Sequence, residues 1–294
     1  MEQLETLKRK TKSAEELHSL VRTMKAIAAA NIREYENAVE SLAEYNRTIE
    51  MGFHILMRNM QKEIPAVKPS KRLGAVVFGS ERGMCGRFNE QVAYYAIKRM
   101  NELKIRQEDR IILALGERVL APLEEAGEQA KESISIFGTF ADIASVMHEV
   151  LIKVEEWHME QELDQIVVFY NRPVSGASFR PRMQHLLPLD LEWLQGLAKK
   201  RWPSRTLPSF TMDRDRLLSS LVRQYLFISL YRAFVESLAS ENTSRLLSMQ
   251  VAEKNIEERL NELRTEFHRL RQDAITAELL DIVAGFEALT GGKL

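Results

Sequence analysis

An α/β domain carried between two long terminal helices, which pair as an antiparallel two-helix coiled coil, is the architecture this sequence predicts. Three observations predict it. All eight prolines of the 294 residues fall between Pro65 and Pro208, so both flanks are free of the strongest helix breaker. Each flank carries a long apolar stripe at helical spacing. The middle instead alternates short apolar runs with helix-like stretches.

The first flank, residues 1–64, contains no proline and one glycine, Gly52. A proline within it would cost a helix about 3 kcal/mol. Steps of three and four from Leu4 reach Leu7, Thr11, Ala14, His18, Val21, Lys25, Ala28, Ile32, Tyr35, Val39, Leu42, Asn46, Ile49, Phe53, Leu56 and Met60. Thirteen of these seventeen are apolar, a heptad seam longer than the three or four repeats that mark a coiled coil. Thr11, His18, Lys25 and Asn46 interrupt the seam and would either weaken it or fix its register.

The middle, residues 70–205, reads as a Rossmann-like parallel-sheet domain. Leu73–Gly79, Arg110–Gly116 and Asp164–Tyr170 are compact apolar runs, Lys131–Phe137 alternates more weakly, and Met183–Leu189 suits a last edge strand. Helix-like stretches near 89–104, 117–127 and 141–160 separate them. Strand and helix in alternation imply a mostly parallel sheet with helices on its faces. Residues 196–210, with Gly196, Lys199, Lys200, Arg201, Pro203 and Pro208, read as a loop.

The second flank, residues 209–290, lacks proline. Met249, Ala252, Ile256, Leu260, Leu263, Phe267, Leu270, Ala274 and Ala277 form its stripe, with a local stutter at Ile256–Leu260. At about 1.5 Å per residue, roughly 60 residues of the first flank would span roughly 90 Å and about 78 of the second roughly 115 Å, too long for a compact domain of this size. Pairing with each other is the simplest solution, with the longer second helix projecting past the first.

Composition narrows the function. Apolar residues make up 45% and charged residues 28%, and 41 basic against 42 acidic side chains leave a net charge of −1. Nothing in that balance favours nucleic acid. Cys85 is the single cysteine, so no internal disulfide can form. No apolar run is long enough to span a bilayer, so membrane association is expected through partners only. The opening residues also lack the apolar core of a secretory leader.

Gly79–Asn89, GSERGMCGRFN, joins a strand to a helix, where α/β folds place phosphate-binding loops. It matches neither GxxxxGK[ST] nor GxGxxG, and Glu117 after Gly116 looks like a helix start rather than a ribose partner. The alternative is a tight turn whose glycines supply positive φ. Cys85 lies between Arg82 and Arg87, which would activate a thiol nucleophile, but no histidine–carboxylate arrangement accompanies it. The six histidines lack metal-ligand spacing. No cofactor and no metal are expected.

Residues 1–33 carry seven basic and four acidic side chains, clustered at Lys8–Lys12, either a solvated face or an attraction for an acidic partner. Val21–Ala30, VRTMKAIAAA, and Ala274–Leu289 are apolar on more than one side. One seam cannot bury such a helix, so either the globular domain or a surrounding partner should cover it.

Three spaced stretches carry a resemblance. Val21–Ala30 is similar to ITKAMxMVAAxK, Ser80–Asn89 to SDRGLCGGFN, and Leu238–Asn242 with Arg271–Leu279 and Ile282–Gly285 to LASEx, RQAxITxEL and IVSGA. In this order they resemble the gamma subunits of F-type ATP synthases over nearly the full length. TMKAIAA and EYNRT further resemble the gamma-like subunits of the divergent N-type sodium or proton ATPases. Arg87 replaces the second glycine of the family's CGG, and Asn31–Glu34 replaces its lysine-rich continuation.

The resemblance implies a non-catalytic rotor shaft that couples ion translocation to ATP synthesis or hydrolysis. Its partners would be the alpha and beta subunits, an epsilon subunit and the membrane ring of c subunits, at the cytoplasmic face of the cell membrane. It places Arg22, Met24, Lys25, Gln272 and Thr276 against the alpha–beta hexamer. It places Arg82, Arg87, Lys200 and Trp202 on the foot, toward epsilon and the ring. Two other classes fit the bare pattern: an NAD(P)-dependent oxidoreductase with helical dimerisation arms, and a coiled-coil tether.

Overall fold

The computed structural model describes residues 2–58, 72–136, 140–160, 163, 165–174, 178–202, 206 and 208–290. Met60 of the predicted seam, Phe137 and Asp164 at predicted strand ends, and residues 203–205 and 207 lie outside them. Ala28–Arg245 forms one compact unit; the residues up to Ile27 and those from Leu246 onward form another.

Helix α1 runs Glu2–Arg58 and α6 runs Arg214–Thr290. Every described member of the predicted α1 seam, from Leu4 to Leu56, is buried or half-buried. In the unit that holds both chain ends, Glu15 meets Arg264 at 3.1 Å, His18 meets Glu257 at 3.3 Å, and Lys25 pairs with Glu253. One helix ascends in number as the other descends, so the pairing is antiparallel. Leu7, Val21, Met249, Leu260 and Leu263 are its buried seam. Ala274 and Ala277, predicted to continue that seam, are exposed. Lys8 Nζ lies 5.9 Å from the centre of the Phe267 ring, and α6 continues from there to Thr290.

The other unit is built on a five-stranded sheet ordered β3-β2-β1-β4-β5. Strands β1 (Leu73–Phe78), β2 (Arg110–Leu115), β3 (Glu132–Ile134) and β4 (Gln165–Val174) are parallel; β5 (Ser178–Leu187) is antiparallel to β4. Every residue of β1 is buried, as expected of a central strand covered on both faces. Val76, Phe78, Leu113, Leu115, Val168 and Tyr170 face α4 (Ile143–Glu160) and α6. Leu73, Ala75, Val77, Ile112, Ala114, Val167 and Phe169 face α2 (Phe88–Glu102) and α3 (Leu120–Glu125). Period-two alternation thus sends neighbouring residues to different cores. The second flank therefore has two roles: before Arg245 it supplies core residues such as Leu230 and Phe234.

Three details differ from expectation. Gly196–Lys199 are not loop but the end of α5 (Leu191–Lys199). Asp190 caps α5, accepting from the backbone N–H of Glu192 at 2.9 Å and Trp193 at 3.1 Å. The edge strand starts at Ser178, earlier than Met183, because it pairs along the whole of β4. The helix expected over 117–127 is a 3-10 turn, Glu117–Val119, followed by α3 with Pro122 in its first turn.

Candidate interaction surfaces

The strand-to-helix loop after β1 is tied to α6 rather than opened toward a ligand. Its start is held by a closed pair: Asn89 Oδ1 accepts from the Ser80 N–H, and Asn89 Nδ2 donates to Ser80 Oγ, both at 2.9 Å. Gly79 donates to the Leu115 carbonyl at 2.8 Å, and Arg118 donates to the Ser80 carbonyl at 3.0 Å. That crossing demands glycine. A Cβ on Gly79 would sit 2.4 Å from Val119 Cβ, and Gly116 has φ +85 with Ser80 backbone 2.7 Å from where its Cβ would lie.

From α6, Ser244 Oγ donates to the Cys85 carbonyl at 2.6 Å. Arg245 Nη2 donates to the Arg82 carbonyl at 3.1 Å and to Glu241 at 2.7 Å. Burial pushes the Glu241 carboxyl above its ordinary value, outweighing the opposing pull of Arg245. Nearby, Tyr170 donates to Glu236 at 3.1 Å, and its hydroxyl is pushed up to about 12 by burial and then by the Glu236 charge.

This geometry answers two expectations about the loop. The N–H groups of Gly79, Ser80 and Phe88, which a phosphate-binding loop would offer, are bonded to Leu115, Asn89 and Cys85. Cys85 is buried, and its thiol is pushed up by burial, the reverse of what an activated nucleophile needs. The side chains of Arg82 and Arg87 stand exposed around the loop, and Met84 projects from it at φ 60.

The four residues expected on one foot surface fall into two groups. Arg82 lines a cleft with Asn31, Tyr35 and Arg245. Lys200 and Trp202 instead stand beside His54 and Glu50: Lys200 Nζ is 3.5 Å from Glu50, and the Trp202 ring centre is 5.3 Å from that of His54. Tyr35 and His54 are nineteen positions apart on α1, so roughly 28 Å separates the two groups along the helix axis.

In the unit holding the chain ends, Arg22 is exposed with Nε 3.9 Å from Glu253, and Met24 is half-buried. Lys25 lies against the same carboxylate, and its hydrogen bond holds Glu253 below the usual carboxylate value. The seam leaves much apolar surface uncovered. Leu17, Leu20 and Ile27 are about half exposed, as are Ile275, Leu279, Leu280, Ile282, Val283 and Phe286 or more so. From Arg271 to Phe286 every residue is exposed, Gln272 and Thr276 included; Thr276 Oγ1 donates to the Gln272 carbonyl at 2.9 Å.

Comparison with known proteins agrees with this layout. An ATP synthase gamma chain of Syntrophus aciditrophicus is 29% identical over 304 residues, covering 99% of this chain and 100% of the relative. That of Nautilia profundicola is 27% identical over 299 residues, covering 98% and 99%. Among solved structures, a chain of the Euglena gracilis mitochondrial ATP synthase OSCP/F1/c-ring assembly matches with a TM-score of 0.66 at 18% identity, over 99% of this chain and 96% of that one. A chain from the rotor of the same enzyme matches with a TM-score of 0.63 at 16% identity, over 93% and 99%. The family model described as ATP synthase matches residues 3–289, and the chain belongs to that family.

Proposed function

We propose that this chain is the gamma-type central shaft of a rotary F-type ATPase, without catalytic residues of its own. The observation that carries the reading is the uncovered apolar surface of the paired helices and of α6 beyond Arg271. A helix apolar outside its seam is stable in water only when something encloses it. A sleeve of alternating alpha and beta subunits would do so. Arg22, Met24 and Lys25, with Gln272 and Thr276, would meet that sleeve. Turning the shaft would offer each beta subunit a different face and bias its conformations in turn. ATP chemistry would stay on the beta subunits.

The helical flanks 1–64 and 209–290 would serve as shaft and the domain 70–205 as foot. Lys200 and Trp202 suit contact with epsilon and the ring of c subunits. Arg82 and Arg87, distant from them, would present a separate surface. No helix among the described residues is long and apolar enough to cross a membrane. Attachment at the cytoplasmic face of the cell membrane would then run through the ring.

The test is copurification. A tagged chain is expected to bring down alpha- and beta-type ATPase subunits, in fewer copies than either, while the isolated chain hydrolyses no ATP. Recovery of the tagged chain without those subunits would remove the reading.

A further inference from the structure

We propose that an arginine cluster on the face shared by β4, β5 and α6 docks an acidic segment of a partner protein, its carboxylates roughly 7 Å apart to match two residues along a strand. Arg172 of β4 stands directly opposite Arg180 of β5, and Arg182 stands opposite Tyr170, so the three arginines share one face of the sheet. Arg232 joins them from α6, through the Glu236 carboxylate that it shares with Arg172. All four lie within the unit Ala28–Arg245, and none belongs to the surfaces proposed for the hexamer, epsilon or the ring, so the cluster is independent of the rotor reading.

The cluster is short of negative charge. Arg232 Nε lies 3.0 Å from Glu236 Oε1, and Arg172 Nε lies 3.4 Å from Glu236 Oε2. Among the described residues no other carboxylate pairs with any of the four, and the exposed Arg180 and Arg182 pair with none. Glu236 is buried, whereas Arg172 and Arg232 keep 44% and 47% of their side chains open to solvent, so the excess positive charge faces outward. Like charges directly opposite one another weaken a sheet. Guarding the edge strand does not require that repulsion. Arg180, Pro181 and Arg182 do blunt β5 against a further strand, but a glutamate opposite Arg172 would guard the edge equally and attract its neighbour. What a glutamate could not do is hold an anion. Small-molecule sites are concave, whereas these side chains stand on an open strand face that suits a macromolecular surface. Carboxylates of a partner would engage the guanidinium forks and relieve the repulsion between Arg172 and Arg180. Because the edge is blunted, the partner would meet the side chains of the face rather than add a strand.

The probe is a fluorescein-labelled peptide of alternating glutamate and threonine, compared with its glutamine–threonine analogue by fluorescence anisotropy on the full-length chain. The acidic peptide is expected to bind at least about tenfold tighter in low salt, with the advantage shrinking as salt rises. Arg180→Glu is expected to do two things at once. It should weaken the acidic peptide about tenfold or more, and raise the melting temperature by about 1–4 °C by turning a repulsive cross-strand pair into an attractive one. Arg182→Gln should weaken the peptide with the melting temperature unchanged. A purely structural role for Arg180 predicts the reverse for its variant: a lower melting temperature and unaltered binding. That result, or equal affinity for the two peptides, would overturn the proposal. So would cosedimentation with phosphatidylglycerol vesicles in the absence of binding to the acidic peptide, which would assign the face to a membrane surface.

Discussion

Glu241 and Arg245 form a buried ion pair one helical turn apart, and Arg245 also holds the carbonyls of Arg82 and Gly83. Removing one partner would strand the other charge. Arg245→Met is therefore expected to cost about 3 kcal/mol or more in urea unfolding, and the double change Glu241→Leu with Arg245→Leu to cost less than the single one. The pair also gives a pH signature. Burial raises the Glu241 carboxyl above its ordinary 4.5, so the folded chain holds that proton more tightly than the unfolded chain. This contribution to stability is fully present below the ordinary carboxylate value and is lost as pH rises through the raised one. Glu241→Gln should flatten the unfolding free energy across that window; an unchanged slope would locate the dependence elsewhere. None of this was legible in LASENTSR, residues 238–245, because a glutamate and an arginine four apart look like any solvated helix pair until the sheet is packed against them.

At the scale of elements, period and breakers carried most of the information. The seam from Leu4 to Leu56 was readable because each member is spaced onto one face of the helix, and the described seam positions are all at least half-buried. Ile256→Pro tests the second helix directly. It is expected to cost about 3 kcal/mol or more, lower the far-ultraviolet helical signal, and open a protease site near the change. Unaltered helicity would contradict a continuous α6. Helix α5 was missed because Gly196 and the neighbouring basic residues suggested loop, although Asp190 followed by Glu192 was a capping signal in plain view. The extent of β5 was missed because an edge strand with one wet face and Pro181 in it has no strong apolar run.

For the whole molecule, the prediction concerns coupling rather than folding. Met24→Lys lies on a half-buried position of α1 beside Arg22 and Lys25, away from the sheet cores. The assembled enzyme is expected to keep its ATP hydrolysis and lose much of its ATP-driven ion pumping, measured on inside-out vesicles. Full pumping would remove Met24 from the coupling surface. The sequence alone settled the class of architecture, two paired helical flanks around a parallel-dominated sheet, because helix periodicity and proline exclusion are local properties. It also marked the surplus of apolar surface on those flanks. Only the tertiary structure decided that the glycine-rich loop is stitched to α6 through Ser244 and Arg245. It likewise decided that Arg82 and Trp202 stand far apart, Arg82 beside Tyr35 and Trp202 beside His54. Those facts depend on residues distant in sequence meeting in space, and no local pattern records such meetings.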